Sequence, residues 1–130
     1  MVGVVETKMS VVAEKLRQIE VEISADKGKF NLFALIERED SLGKWDVVVS
    51  ANWADDERKE LINAIALKIR EKLSEDEQLM LSRIVTLSQS DALVRSLNMI
   101  GVEHGMARLS NNNFNGIIIK EAYLITSKFE

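Results

Sequence analysis

The side chains that could do chemistry in this sequence include a single histidine, His104, and no cysteine. The missing thiols exclude disulfides, thiolate nucleophiles, iron–sulfur clusters and cysteine-ligated zinc. One histidine per chain cannot supply a two-histidine metal site. A serine nucleophile would need the G-x-S-x-G elbow that lifts its hydroxyl clear of a sheet, and the sequence has none. Phosphate loops need glycines that let backbone amides close on an anion. The nearest approach, Gly101-Val102-Glu103-His104-Gly105, lacks the lysine and sets an acid where a phosphate would lie. His104 therefore reads first as a polar residue at a strand end or in a loop.

The carboxylates are more numerous, and Asp46 stands out because it falls inside a stretch with strand periodicity. Two carboxylates one residue apart on one strand face could hold Mg²⁺ for nucleotidyl transfer, but Val48 occupies the partner position. A nuclease of the acid-x-Lys type would need an acid two residues before Lys120, where Ile118 stands. The fold could still gather Asp46, Asp55, Glu103, His104 and Lys120 into a metal-dependent hydrolase or phosphotransferase site. A cavity lined by Asp46, Arg83, Glu103, His104 and Arg108 would be its signature. As neither template is complete, no catalytic residue, cofactor or resident metal is assigned.

The preferred expectation is a non-catalytic binding or protein-interaction module. Trp45 and Trp53 fall at the two ends of one strand. Trp45 belongs to its apolar face, whereas Trp53 sits at a corner beside acids, where a half-exposed indole makes a good interface anchor. The run 110–116 is a polar loop rich in asparagine, whose amides offer both donors and acceptors. The predicted contact surface is Trp53 with Asn111, Asn112, Asn113 and Phe114, facing an unidentified protein partner or a second copy of the chain.

The composition narrows the partners. Seventeen basic and 21 acidic residues leave a formal charge of −4, interspersed along the chain, which disfavours nucleic acid. Apolar runs such as 47–49 and 117–119 fall far short of the ~18 residues a membrane span requires. No basic leader precedes an apolar stretch, so the expected compartment is the cytoplasm. The 46% apolar and 29% charged content is that of a globular chain. No linker or repeat divides residues 1–130, which read as one α+β domain.

The elements that must position these side chains follow from periodicity. Val12, Leu16, Ile19 and Ile23 form a helical stripe, predicting a helix over 5–23, although 19–24 also alternates like a strand. Residues 30–38 and 44–51 predict a hairpin around the turn 40–43, with Trp45, Val47, Val49 and Ala51 on one face of the second strand. The next helix is predicted to start from Asn52 or Asp55, with Asp55, Asp56 and Glu57 in its first turn, and to bury Leu61, Ile62, Ile65, Ile69 and Leu73. Ser74-Glu75-Asp76-Glu77 has the capping-box pattern. A strand over 82–87, a helix over 91–99 capped by Ser90 and stopped at Gly101, and strands over 103–109 and 117–127 complete the chain. Strand 30–38 is apolar on both faces, as is 117–125, so the sheet is either covered by helices on both sides or buried against a second copy. The expected fold is α+β: a largely antiparallel or mixed sheet of about five strands packed with helices, in the order α-β-β-α-(short α)-β-α-β-β.

Overall fold

The computed structural model describes residues 8–38, 43–54, 56–114 and 117–129. Its elements are α1 (Lys8–Lys27), β1 (Leu32–Arg38), β2 (Trp45–Ser50), α2 (Arg58–Lys72), α3 (Glu75–Leu79), β3 (Leu81–Thr86), α4 (Ala92–Asn98), β4 (Ala107–Phe114) and β5 (Ile117–Ser127). The order matches the expected one. The strands form one mixed sheet in the order β3-β2-β1-β5-β4, antiparallel everywhere except between β2 and β3. The α2–α3 passage is the crossover that makes that pair parallel.

Helices cover both faces. On one side α1 and α2 pack Leu16, Ile19, Leu61 and Ile65 onto Phe33, Leu35, Val47 and Ile125. On the other, α4 lays Leu93, Val94 and Leu97 over Leu32, Ala34, Val48 and Leu124. Strands β1 and β2 are therefore buried almost throughout, which is why neither shows a polar face. Residues 19–24 are helical. Helix α1 can bury Ile19 and Ile23 on the sheet only if they sit on its inward stripe.

Several local expectations are corrected. Helix α2 starts at Arg58 rather than from Asn52 or Asp55, because Asn52–Ala54 turn through a 3₁₀ helix first. Its N-cap position is Glu57, with no side-chain cap, and the first-turn acid is Glu60, not Asp56 or Glu57. Asp55, like residues 40–42 and the Asn115-Gly116 dipeptide, lies outside the described residues. Asp91, not Ser90, caps α4: its side chain accepts from the Leu93 N–H at 2.9 Å. Phe30 joins the α1 side rather than the face of Leu32, since the strand proper starts two residues later. The run 110–114 is not loop but the second half of β4, and 103–106 precede the strand instead of opening it. By contrast, Ser74 and Glu77 form the full capping box: Ser74 Oγ accepts from the Glu77 N–H at 3.2 Å, and Glu77 Oε1 accepts from the Ser74 N–H at 2.8 Å.

Strand β5 carries two register shifts against β1. Phe33 pairs with Thr126 and Ala34 with Leu124, leaving Ile125 as an extra residue. Further along, Glu37 pairs with Glu121 and Arg38 with Ile119, leaving Lys120 extra. A bulge re-aims the side chains beside it. At the first bulge, Ile125 enters the α1-side core and its neighbour Thr126 also reaches α1.

Candidate functional site

Besides the Ser74–Glu77 capping box with Lys15, two clusters bring a buried carboxylate together with other polar groups. The first is on the α4 side near β3. Asp46 is 4% exposed on β2, and the parallel register sets it beside Arg83. Arg83 Nε donates to Asp46 Oδ2 at 3.2 Å, and Arg38 Nε lies 3.8 Å from the same oxygen. Two guanidinium groups thus hold one carboxylate, which is why an acid is stable inside this strand. Around the cluster, Ile36, Val48, Val85, Leu87 and Leu93 line an apolar hollow of about 190 Å³. Arg83 also borders a second hollow, of about 350 Å³, on the opposite face of β3. There Ile62 and Ile69 of α2 meet Leu81 and Ile84.

The second cluster is on the α1 side at the end of β5. Glu20 is fully buried on the inner face of α1. The backbone N–H of His104 donates to Thr126 Oγ1 at 3.1 Å, and Thr126 Oγ1 donates to Glu20 Oε2 at 2.7 Å. The other carboxylate oxygen, Oε1, lies 2.6 Å from His104 Nδ1. The Thr126 hydroxyl thus accepts from the backbone and donates to Glu20, while the donor and acceptor roles of Nδ1 and Oε1 follow from the tautomer of the ring. His104 has a positive φ of 49°, a region uncommon for non-glycine residues, although histidine visits it more often than most. The backbone on either side is bonded: Arg17 Nη1 donates to the His104 carbonyl at 3.2 Å, and Gly105 N–H donates to Ile125 O. The ring is about 40% exposed, and Nε2 lies 3.9 Å from Glu103 Oε2. Glu103 pairs in turn with Lys128, and this contact holds its carboxyl below the ordinary range.

The expected cavity joining Asp46, Arg83, Glu103, His104 and Arg108 does not form, because the sheet order separates these residues. Asp46 and Arg83 are on the β2–β3 side. Glu103 and His104 lead into β4 at the other margin, and Arg108 is on that strand, bonded to Glu121 at 3.1 Å. Lys120 is exposed at the second bulge of β5, with β1 between it and β2. Among the described residues, no three histidine, cysteine, aspartate or glutamate side chains converge on a point that could hold a metal ion. Nor is any helix there long and apolar enough to cross a membrane.

Trp53 is half-buried at the corner after β2. Its indole N–H donates to Lys29 O at 2.9 Å, and its ring meets Phe30 edge-on at 5.5 Å between centroids. A Cβ on Gly28, whose φ is 132°, would stand 2.8 Å from the indole, so this turn is shaped around the ring. Asn111, Asn112 and Asn113 lie along β4, with Asn111 and Asn113 exposed and Asn111 in the left-handed region at φ 51°. Phe114 pairs with Ile117 through the backbone where β4 meets β5.

Sequence reasoning missed Glu20 and Thr126. The available signal was an acid on the buried stripe of a helix: Glu20 follows Leu16 by four residues and precedes Ile23 by three. Thr126 left no such signal, since only the bulge turns it toward α1. Compared with family models, with curated proteins and with solved structures, the chain matches none of them.

Proposed function

We propose that this chain is a protein-interaction module that takes an extended segment of a partner protein as an added strand on the outer margin of β3. One observation carries the reading: β3 ends the sheet, and an apolar hollow opens on each of its faces. Successive side chains of a strand point to opposite faces, so a strand laid beside β3 would send alternate residues into the two hollows. Main-chain hydrogen bonds would supply affinity, and the hollows would supply selectivity. The charge at the margin narrows the partner further. Arg70 and Arg83 border the hollow on the α2 side, where no acid contributes to the lining, so an acidic residue in the partner segment is favoured there.

The reading supports the class of function expected from the sequence but moves its surface from Trp53 and the asparagine run to β3. The indole of Trp53 is already committed to Lys29 and Phe30. The test uses a blocked eight-residue peptide of alternating valine and threonine with one central glutamate, added to the full chain. Amide hydrogen exchange over 82–86 is expected to slow. Arg70→Glu, which leaves the Asp46–Arg83 pair in place, should weaken binding roughly tenfold, an amount set by converting one charge-assisted contact into a repulsive one. Unchanged exchange at millimolar peptide would remove the proposal. Slowed exchange without peptide, together with a dimer mass by light scattering, would instead show a second copy occupying the margin.

A further inference from the structure

The geometry points to His104 as a phosphoryl-accepting nucleophile, with Glu20 as the residue that positions it and with an acyl phosphate or phosphoramidate as the class of donor. Thr126 donates to Glu20 Oε2, and Oε1 lies 2.6 Å from His104 Nδ1; with Nδ1 carrying the proton against an ionised Glu20, the lone pair of the ring is on Nε2. A carboxylate behind an imidazole fixes its tautomer and steadies the positive charge the ring acquires when the other nitrogen forms a bond. Here that carboxylate is fully buried, so it cannot turn away to water.

Three features suggest that the arrangement serves more than packing. His104 is held at a positive φ, a bulge in β5 is spent on presenting Thr126, and the ring is left about 40% exposed. Lys128 and Lys29 both act on Glu103, whose carboxylate lies beside Nε2. An incoming phosphoryl group would compete with Glu103 for the Lys128 ammonium, and the cations would then face the phosphoryl oxygens.

The step balances with a phosphoramidate donor. The donor reacts in its N-protonated form: the Nε2 lone pair attacks phosphorus, the P–N bond breaks, and the nitrogen takes that bond's electron pair and leaves as neutral ammonia with its three protons. The ring gains one positive charge, shared across Nδ1–H with Glu20.

Because the chain has one histidine, the reaction reports a single site. The full chain is incubated with potassium phosphoramidate, and phosphohistidine is followed by ³¹P NMR, with Nα-acetylhistidine as reference. Phosphorylation confined to Nε2, at roughly ten times the reference rate or more, is expected from the usual effect of a carboxylate behind an imidazole. Glu20→Gln should return the rate toward the reference while circular dichroism remains that of the parent. A native rate equal to or below the reference would overturn the proposal, as would a mixture of both ring isomers. Should Glu20→Gln not fold, Thr126→Val supplies the second variant. It keeps the carboxylate but frees its orientation, and a rate unchanged by that substitution would also count against Glu20 as the positioning residue.

Discussion

The two margins of this sheet are built on different physical grounds. An edge strand exposes unpaired backbone groups, and proteins blunt such edges with charge, bulges or cover. Margin β4 is blunted twice over: Arg108 pairs with Glu121 on its exposed side, and Asn111 breaks the run with a left-handed residue opposite the Lys120 bulge. Margin β3 has half-buried Leu81, Ile84 and Val85, a register irregularity near Ser82, and hollows on both faces. Its order comes from behind: Asp46 holds Arg83, and the Ser74–Glu77 box fixes the turn that feeds the strand. One margin is closed by exposed contacts of its own, whereas the other is braced from β2 and the α3 turn and carries an apolar hollow on each face. The second arrangement suits a binding edge, because ordering it in advance lowers the entropy lost on association.

The largest effect should follow removal of the interior support. Asp46→Ala would leave Arg38 and Arg83 without their shared carboxylate beside an apolar hollow, at a cost of about 1–3 kcal/mol in chemical denaturation. The side chains of both arginines are more than a third exposed and can turn to water, so a loss well beyond that range is not expected. A loss below about 0.5 kcal/mol, the level of an ordinary surface pair, would break the contrast between the margins.

An intermediate effect is expected from the capping box. The Glu77 carboxyl is held below its ordinary value of 4.5, first by the Lys15 ammonium at 2.7 Å and then by the Ser74 N–H. A carboxyl lowered by folding adds stability at higher pH and loses it as protons bind. Glu77→Gln should therefore cost about 1 kcal/mol at neutral pH, with the gap to the parent closing as pH falls below 4.5. Urea denaturation at pH 7 and pH 3 gives both numbers. A gap that stayed constant between them would assign the stability to packing rather than charge.

How much of this was legible in the sequence depends on where each signal resides. The capping box and β5 could be read because their causes are local: a four-residue pattern in one, β-branched residues starting an apolar strand in the other. The two-faced apolarity of β1 leaves helices on both sides or a second copy as ways to cover the sheet, and helices cover both. The second half of β4 could not be read, because Ser110 and three asparagines favour turns and only the ladder with β5 makes them a strand. Asp91 displaced Ser90 as a cap by one position, a difference that propensity does not resolve since both residues cap well. The candidate sites were the least legible. The pairing of Asp46 with Arg83 depends on the parallel register after a crossover, and the Glu20 cluster depends on a bulge. Neither pairing is encoded in spacing along the chain, although the place of Glu20 on the helical stripe is.

The smallest effect should come at the blunted margin and is informative because two opposing terms make it small. Asn111 sits at φ 51°, where lack of a Cβ relieves strain, so Asn111→Gly gains in the folded state. Glycine also loses more chain entropy on folding, which offsets that gain. The net change expected is within about 0.5 kcal/mol of zero, measured by urea denaturation. Should the variant instead lose more than about 1 kcal/mol, the asparagine side chain must contribute a bond that glycine cannot replace. Margin β4 would then be held by specific side-chain contacts, as β3 is, and the distinction drawn between them would rest on the hollows alone.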